Sequence, residues 1–259
     1  MSRKYVLIGV EGNHDQAFIS KILCKLLGFS KFDGKISELD HFWRKFIPNY
    51  PKRGNLYVRL DMPTILYTET LSVALYPGEG SNLITNLNDK LSDIDYSTLL
   101  AFAIVADADD DTPNKVAEKY HHGFKEYFPN FPTTVNQSGN VIESSPKLGI
   151  YILPDNSQQG VLDTLICDCG DLAYPEYMQR AREYINKFSE EERKKKPLQW
   201  KPFDQQKAII ATVVSVLKPG KTNQTSISDN SWISSETEFQ ILAIQNLTKF
   251  FKNLLNLNP

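Results

Sequence analysis

The sequence predicts an α/β protein in which helices flank a mainly parallel sheet. Four short apolar runs have the composition of strands that are buried on both faces. A stretch with apolar residues at helical spacing follows each run, and this alternation indicates a parallel sheet with crossover helices. With 259 residues, of which 41% are hydrophobic, the chain can bury a substantial core. The four predicted strands occupy residues 5–10, 71–76, 99–106 and 148–153.

The first strand leads into an acidic turn and then into a helix. Glu11 and Asp15 belong to the turn, and Gly28 stands where the helix would stop. The apolar residues at helical spacing between them are Phe18, Ile22, Leu23 and Leu26. Residues 29–70 lack a regular pattern, so we expect an insertion there, with one strand at residues 55–60.

Each of the next three strands is also followed by a helical pattern. Gly78 and Gly80 end the second strand, and an aspartate-rich segment at residues 107–111 follows the third. We expect a hairpin around residues 137–140, before the fourth strand, and a helix at residues 160–166 after it. The helical faces after the second and third strands are marked by Leu83, Ile84, Leu87 and Leu91, and by Val116, Tyr120 and Phe124.

The rest of the chain has a mainly helical pattern. We expect helices at residues 175–188, 205–217 and 239–257. A charged run at residues 190–196 and an Asn/Ser/Thr-rich loop at residues 222–235 separate them. Residues 1–259 are thus predicted to form a single domain. Its parts would be a core at residues 4–170, the insertion at about 29–70 and a C-terminal helical extension at about 171–259.

The composition excludes some classes of protein. Lysine and arginine (29) nearly balance aspartate and glutamate (31), so the formal net charge of -2 provides no overall positive field for nucleic acid. Binding to a phosphate backbone would need a local basic patch. Three cysteines are too few for a disulfide framework and are typical of a reducing compartment. Because no apolar stretch approaches the roughly 20 residues of a membrane helix, we expect a cytoplasmic protein with no membrane partner.

Carboxylates follow two of the predicted strands. Glu11 and Asp15 come after the first strand, and Asp107 and Asp109 come after the third. If these strands are neighbours in a parallel sheet, their carboxyl ends meet at one edge and the four acids converge. Grouped carboxylates repel one another, and a bound Mg²⁺ or Mn²⁺ ion removes that cost. The pattern therefore predicts a metal site that could activate water and neutralise charge on a phosphoryl oxygen.

In this order and at this spacing, the motifs resemble the Toprim domain of topoisomerases, bacterial primase, small RNA-maturation nucleases and OLD-family nucleases. The chain looks most like the stand-alone, OLD-related group labelled DUF3226. The resemblance covers about residues 5–166 and implies a Toprim-type, Rossmann-like fold. The motifs that carry it are Val10-Glu11-Gly12-x-x-Asp15 with Phe18, Pro77-Gly-x-Gly80, Asp107-x-Asp109, Leu153-Pro-Asp155 and Gly160-Val-Leu-Asp163.

The resemblance implies roles for the four acids. Glu11 would bind the metal and act as a general acid or base. Asp15 would be the second acid of the first-strand motif, as in OLD-like nucleases. Asp107 and Asp109 would be the metal-binding pair, so that all four residues are expected metal ligands.

Two further residues enter through the same resemblance. Asp163 stands where the group usually has glutamate, which shortens this expected metal ligand by one methylene group. Lys207 matches a lysine that stabilises charge on the cleaved phosphate, and it would join Glu11 and Asp107 as a catalytic residue. The implied function is hydrolysis of phosphodiester bonds in DNA or RNA by a nuclease that depends on Mg²⁺ or Mn²⁺.

Two other functions stay open. The acidic site could belong to a non-catalytic regulatory module that binds metal or nucleic acid and works with a separate ATPase, since no Walker motif is found in the sequence. Nucleotidyl transfer, as in primase Toprim domains, is disfavoured because no zinc-binding or primase-core segment accompanies the motifs. A homodimer could use the aromatic-rich residues 29–76 or the final apolar helix as its surface.

Overall fold

The computed structural model describes residues 3–47 and 62–257, which form a seven-stranded, mainly parallel sheet flanked by helices. The strands are β1 Lys4–Val10, β2 Ser30–Lys31, β3 Thr64–Tyr67, β4 Leu71–Pro77, β5 Leu99–Asp107, β6 Asn140–Ile142 and β7 Lys147–Leu153. Their order in the sheet is β2-β3-β4-β1-β5-β7-β6. The predicted α/β class and all four predicted strands are confirmed. The strand expected at residues 55–60 lies outside the described residues.

Ten α-helices are present in the described residues. They are α1 Asn13–Leu26, α2 Leu83–Ser92, α3 Pro113–Phe124, α4 Leu162–Ala173, α5 Pro175–Ile185, α6 Glu190–Lys194, α7 Asp204–Leu217, α8 Asn223–Asp229, α9 Ser235–Gln240 and α10 Leu242–Leu254. The helix expected to begin at Gly160 begins instead at Leu162, because Gly160 pairs with Asp109 in an isolated β-bridge.

The four central strands, β4, β1, β5 and β7, are parallel. Val10 is level with both Pro77 and Val105, and Asp107 is level with Leu153. All four carboxyl ends therefore lie at one edge of the sheet. Between β4 and β5 the chain passes to the other side of β1, and α/β proteins bind ligands in the crevice that such a switch in strand order creates.

Alternate residues of the central strands belong to two separate apolar layers. On β5, Ala103 and Val105 face the layer that contains α1 and α4, whereas Phe102 and Ile104 face the layer that contains α2 and α3. Side chains alternate along a strand, so Asp107 at the end of β5 continues the series of Ala103 and Val105. This places its carboxylate on the same side of the sheet as α1 and α4.

The expected insertion contains two short strands that the sequence pattern missed. Strands β2 and β3 extend the sheet antiparallel beyond β4, and with two and four residues they are too short to show a clear alternation. Trp43 is fully buried, and its indole N–H donates to the Ser72 hydroxyl at 2.9 Å. Phe42 and Phe46 pack edge-on against Trp43. These aromatic residues pack against one another within the fold of the chain itself.

Two corrections concern the C-terminal segment. The helix predicted at residues 239–257 is split, because Ile241 has extended backbone angles between α9 and α10. The Asn/Ser/Thr-rich loop contains α8, whose first turn is capped by the Thr222 hydroxyl accepting from the Thr225 N–H. Residues of this kind disfavour the interior of a helix but are good helix caps, which is why their composition alone suggested a loop.

The C-terminal helices cover the layer that contains α1 and α4. Helix α7 packs against α4 and α5, and α10 packs against β7. The contact of α10 is close, because any side chain at Gly149 would collide with Leu254 and Phe250. None of the helices in the described ranges has both the length and the apolar character that a membrane crossing requires.

Candidate metal centre

Four acidic residues lie around the carboxyl ends of β1 and β5. Glu11 directly follows β1, and Asp107 is the last residue of β5. Asp15 is in the first turn of α1, and Asp163 is in the first turn of α4. We call these four residues the carboxylate site. The amino ends of two helices favour negative charge there, because their backbone N–H groups and dipoles point toward it.

The backbone of Glu11 is fixed by the loop that follows β4. The Gly80 N–H donates to the Glu11 carbonyl at 2.7 Å, and the Gly78 N–H donates to the Val10 carbonyl at 2.9 Å. A Cβ atom at Gly78 would lie within 2.3–2.5 Å of atoms of Leu83, so only glycine fits there. The Pro-Gly-x-Gly motif thus has a structural role in this chain, since it holds the first acid of the site.

The side chain of Glu11 has a specific partner that the sequence did not suggest. The Tyr120 hydroxyl donates to Glu11 Oε1 at 3.1 Å, and Tyr120 is buried in the apolar layer that contains α2 and α3. Burial raises the pKa of Glu11, the Tyr120 hydrogen bond lowers it, and the nearby charge of Asp109 raises it. Tyr120 was recognised only as an apolar position on α3, because a contact between residues 109 positions apart leaves no local pattern.

Asp15 is buried and incompletely paired. Its side chain is only 7% exposed; Oδ2 accepts the Gly12 N–H at 2.9 Å, whereas Oδ1 is buried and has no hydrogen-bond partner among the described residues. Burial raises the pKa of Asp15 to about 7, and the charge of Glu11 contributes in the same direction. The Asn13 Oδ1 atom, two residues away, is likewise buried and unpartnered. Two unpartnered oxygens at one helix terminus fit the needs of a cation that binds oxygen ligands.

Asp107 joins the carboxylate site to α4. Its Oδ1 atom accepts the backbone N–H of Leu162 at 2.8 Å, at the first residue of that helix. The pKa of Asp107 is raised well above its usual range, first by burial and then by the charges of Asp15 and Glu11. Glu11 and Asp107, which are 96 positions apart in the sequence, therefore interact electrostatically, as we expect of acids at the ends of neighbouring parallel strands.

Asp109, an expected metal ligand, lies beyond the end of β5. Strand β5 ends at Asp107 and Asp109 has a left-handed backbone (φ 48°), so the alternation of side chains along the strand does not extend to Asp109. Its backbone pairs with Gly160, and its side chain is exposed. Asp109 is still close enough to act on the pKa of Glu11 and Asp107, so it lies at the rim of the carboxylate site and not inside it.

A hollow with a volume of about 340 Å³ opens beside Asp15, Asp107 and Asp163, which are three of the four acids. Asp163 is 7% exposed, and burial raises its pKa while the positive charges of His14 and Lys207 lower it. Lys207 is near the start of α7, which brings it to this hollow from the C-terminal segment. The residues that line the hollow are Gly12, Asn13, His14, Asp15, Asp107, Leu162, Asp163 and Lys207.

Other candidate residues from the sequence have structural roles. Asp155 accepts hydrogen bonds from the backbone N–H groups of Ser157 and Gln158, which is the behaviour of a turn former. Cys167 and Cys169 are buried free thiols on α4. Burial raises the pKa of both thiols, so these cysteines pack as small apolar residues.

Most basic residues of the charged run have partners within the chain. The Arg193 guanidinium group lies 5.0 Å from the ring centroid of Trp200 and donates to Gln205 at 2.9 Å. Lys194 and Lys195 lie 3.9 and 3.7 Å from carboxylate oxygens of the glutamates one turn earlier. This surface is therefore a solvated helical face, as the three glutamates at residues 190–192 indicated.

The acids of the carboxylate site lie near one another, but their side chains are not close enough together to coordinate one ion. Within residues 3–47 and 62–257, no three His, Cys, Asp or Glu side chains are set closely enough to hold an ion as they stand. Coordination would require side-chain rotation on the fixed backbone, which staggered rotamers of Asp and Glu permit. The donor set would consist of carboxylate and amide oxygens, which are the ligands that Mg²⁺ and Mn²⁺ prefer.

Replacing Tyr120 by phenylalanine tests how Glu11 is tuned. The Tyr120 hydrogen bond lowers the pKa of Glu11. Loss of this bond therefore raises that pKa, and the Glu11 carboxyl group ionises only at a higher pH. We expect Mn²⁺ affinity, measured by calorimetry, to fall about tenfold at pH 6 and to recover at pH 8.5. An affinity equal to that of the wild type across this range would show that Glu11 does not bind the metal.

A family model with the description "Protein of unknown function (DUF3226)" matches residues 5–256 of the chain. A similar crystal structure is that of the hypothetical protein PH0156 from Pyrococcus horikoshii OT3, with 18% sequence identity and a TM-score of 0.51. That similarity covers 98% of this chain and 97% of the other, and at this level of identity it concerns the fold alone. No curated protein matches the chain.

Proposed function

The chain belongs to the DUF3226 family, and we propose that it is a metal-dependent nuclease of the Toprim type that hydrolyses phosphodiester bonds in DNA or RNA. The observation that carries this proposal is the group of buried acids at the carboxyl ends of two neighbouring parallel strands. Glu11, Asp15 and Asp107 all have raised pKa values; the charge of Glu11 raises the pKa of Asp15, and the charges of Asp15 and Glu11 raise the pKa of Asp107. An arrangement that costs free energy in the folded state is typical of functional sites.

The chemistry of the donor set favours a hard divalent cation. Glu11, Asp15 and Asp107 would hold a Mg²⁺ or Mn²⁺ ion, and the unpartnered Asn13 amide oxygen is a further donor within reach of the same hollow. Asp163 also lines the hollow, whereas Asp109 is exposed and does not line it. When bound, such an ion supplies a nucleophile from water and neutralises charge on the phosphoryl oxygens.

Residues of the chain itself would complete the reaction. Glu11 would accept a proton from the attacking water, a role that a carboxylate can fill when it lies within hydrogen-bond reach of that water. Lys207 has a side chain that is 53% exposed at the edge of the hollow, so its ammonium group could reach a phosphate lying over the acids. Its positive charge would stabilise the charge that develops on the phosphate.

A cleavage assay tests the proposal directly. Supercoiled plasmid, single-stranded DNA and structured RNA would be incubated with the protein in Mg²⁺, in Mn²⁺ or in EDTA. We expect cleavage of at least one substrate with either metal and none in EDTA. If metal binds but no substrate is cut, the non-catalytic module that works with a separate ATPase becomes the better description.

Replacing Lys207 by glutamine should lower the cleavage rate by about 10- to 100-fold, because one charge-stabilising group is lost at a site open to solvent. Metal affinity should stay unchanged, since the lysine is not a ligand. The matched control is Lys221→Gln, which removes an exposed lysine beyond the other end of α7. Equal loss of activity in both variants would assign the effect to general charge and not to the position of Lys207.

A further inference from the structure

A second hollow, about 160 Å³ in volume, lies between α1, β2 and α8. Three of its residues are lysines, Lys21 and Lys25 from α1 and Lys31 from β2, and none of the described residues that line it is acidic. We call it the lysine pocket. The rest of its lining consists of Ala17, Ser20, Cys24 and Ser228.

The three ammonium groups are close enough to influence the same side chain. Burial raises the pKa of the Cys24 thiol, while the charges of Lys31, Lys21 and Lys25 all lower it. Burial also lowers the pKa of Lys21 and the neighbouring Lys25 lowers it further, whereas the charge of Asp229 raises it. The pocket therefore concentrates positive charge, and the repulsion within it is a cost that a bound anion would remove.

In the described part of the chain, the lysines of the lysine pocket lack the close ion pair that Lys218 makes. Among the described residues, none of its three lysines lies within ion-pair distance of a carboxylate, whereas Lys218 lies 3.0 Å from Asp229. Lys21 Nζ donates instead to the backbone carbonyl of Ser228 at 2.6 Å, which fixes that side chain against α8. The pocket thus has an anchored cation and two exposed ones facing solvent.

The position of the pocket relates it to the carboxylate site. Lys21 and Lys25 follow Asp15 on the same helix by six and ten residues, which is about 9 and 15 Å along the helix axis. At about 3.4 Å per nucleotide along one strand of a duplex, this distance spans roughly three to four nucleotides. A single helix therefore presents acids that would hold a metal at one end and cations that would hold a phosphate farther along.

A nuclease with an acidic centre needs such a contact. Carboxylates repel the phosphate backbone, and the lysines beside the carboxylate site are Lys207, which lines the hollow, and Lys119, whose charge lowers the pKa of Glu11. Resting on the function proposed above, we propose that the lysine pocket binds a backbone phosphate of the nucleic acid strand whose cleaved bond lies at the carboxylate site. The pocket would supply affinity and set the direction of the strand along α1.

The test measures binding without cleavage. Fluorescence anisotropy of a labelled 20-nucleotide single-stranded DNA would be recorded in EDTA over 25–300 mM KCl, a range in which salt-dependent affinity can be resolved. In the triple variant Lys21→Gln/Lys25→Gln/Lys31→Gln, we expect affinity at low salt to fall about tenfold or more. The slope of log affinity against log salt should shrink by about 2, because each lost contact to a single strand contributes about 0.7.

The matched control removes three exposed lysines elsewhere, in the variant Lys187→Gln/Lys194→Gln/Lys195→Gln. Its affinity should change by less than about twofold. Thermal unfolding checks that both triple variants are folded. If the loss of the Lys21 anchor prevents folding, the double variant Lys25→Gln/Lys31→Gln should still reduce the slope by about 1.4.

Two results would overturn the inference. One is an unchanged affinity and slope in the lysine-pocket variants. The other is an unchanged affinity for DNA combined with thermal stabilisation of the wild type, but not of the triple variant, by inorganic phosphate, which would assign the pocket to a small free anion. Because the measurement needs no catalysis, a chain that binds through these lysines but never cleaves would refute the nuclease and leave the pocket in place.

Discussion

Replacing Asp107 by asparagine will lower metal-dependent cleavage by at least about 10³-fold, because the variant loses a charged ligand between the two helix termini of the site. The asparagine side chain in the variant can still accept the Leu162 N–H through its amide oxygen, so the contact between β5 and α4 is retained. The buried repulsion with Asp15 and Glu11 is removed. We therefore expect the variant to be inactive and more stable than the wild type at pH 8, as measured by cleavage rate and by urea unfolding.

Asp110→Asn is the matched control for this prediction. Asp110 lies three residues further along the chain and its side chain is exposed, so the same chemical change there should alter neither cleavage nor stability appreciably. Full cleavage activity in Asp107→Asn would remove Asp107 from the mechanism. Inactivity together with marked destabilisation would mean that Asp107 acts through the fold and not through a metal.

The metal-free protein should become less stable as the pH rises from about 4 to 7. Burial and the charge of Glu11 raise the pKa of Asp15 to about 7 from 3.8, so the folded state holds a proton that the unfolded state has released. A carboxyl group whose pKa is higher in the folded state does not lower the free energy of unfolding at a pH below its pKa in the unfolded state. It lowers that free energy by the full amount at a pH above its pKa in the folded state. The expected loss in the free energy of unfolding is about 2 to 4 kcal/mol, measured by urea unfolding in EDTA.

The contribution of Asp15 is isolated by comparing the wild type with Asp15→Asn at each pH. The variant can keep the hydrogen bond from the Gly12 N–H but cannot ionise, so its stability advantage should be small at pH 4 and reach its full value near pH 8. Adding Mg²⁺ at pH 8 should stabilise the wild type by about 2.7 kcal/mol at a concentration 100 times its dissociation constant, and the variant by less. A difference between the two proteins that does not change with pH would show that Asp15 stays ionised when folded.

The elements that the sequence predicted correctly are those with a strong local pattern. Strands β1, β4, β5 and β7 are continuous apolar runs, and α1 to α4 have apolar residues on one face. The convergence of Glu11 with Asp107 followed from a general property of parallel sheets and needed no knowledge of distant contacts.

Features that depend on contacts distant in sequence were missed or misjudged. Tyr120 on α3 donates a hydrogen bond to Glu11. In the sequence, Tyr120 cannot be distinguished from any other aromatic residue on the apolar face of a helix. Asp109 does not continue the side-chain alternation of β5, because its backbone is left-handed and pairs with Gly160 beyond the end of the strand. Neither feature can be read from the spacing of the acids. Strands β2 and β3 form because β4 offers them a free edge, which a run of two to four residues cannot signal by itself.

The central claim is that acids distant in the chain share one divalent cation, and a crystal structure with Mn²⁺ tests it most directly. We predict an anomalous difference peak at the carboxyl ends of β1 and β5, with oxygens of Glu11 and Asp107 about 2.0–2.6 Å from the ion. Absence of such a peak at a Mn²⁺ concentration that supports cleavage would contradict the account. So would a peak held by only one of these two residues.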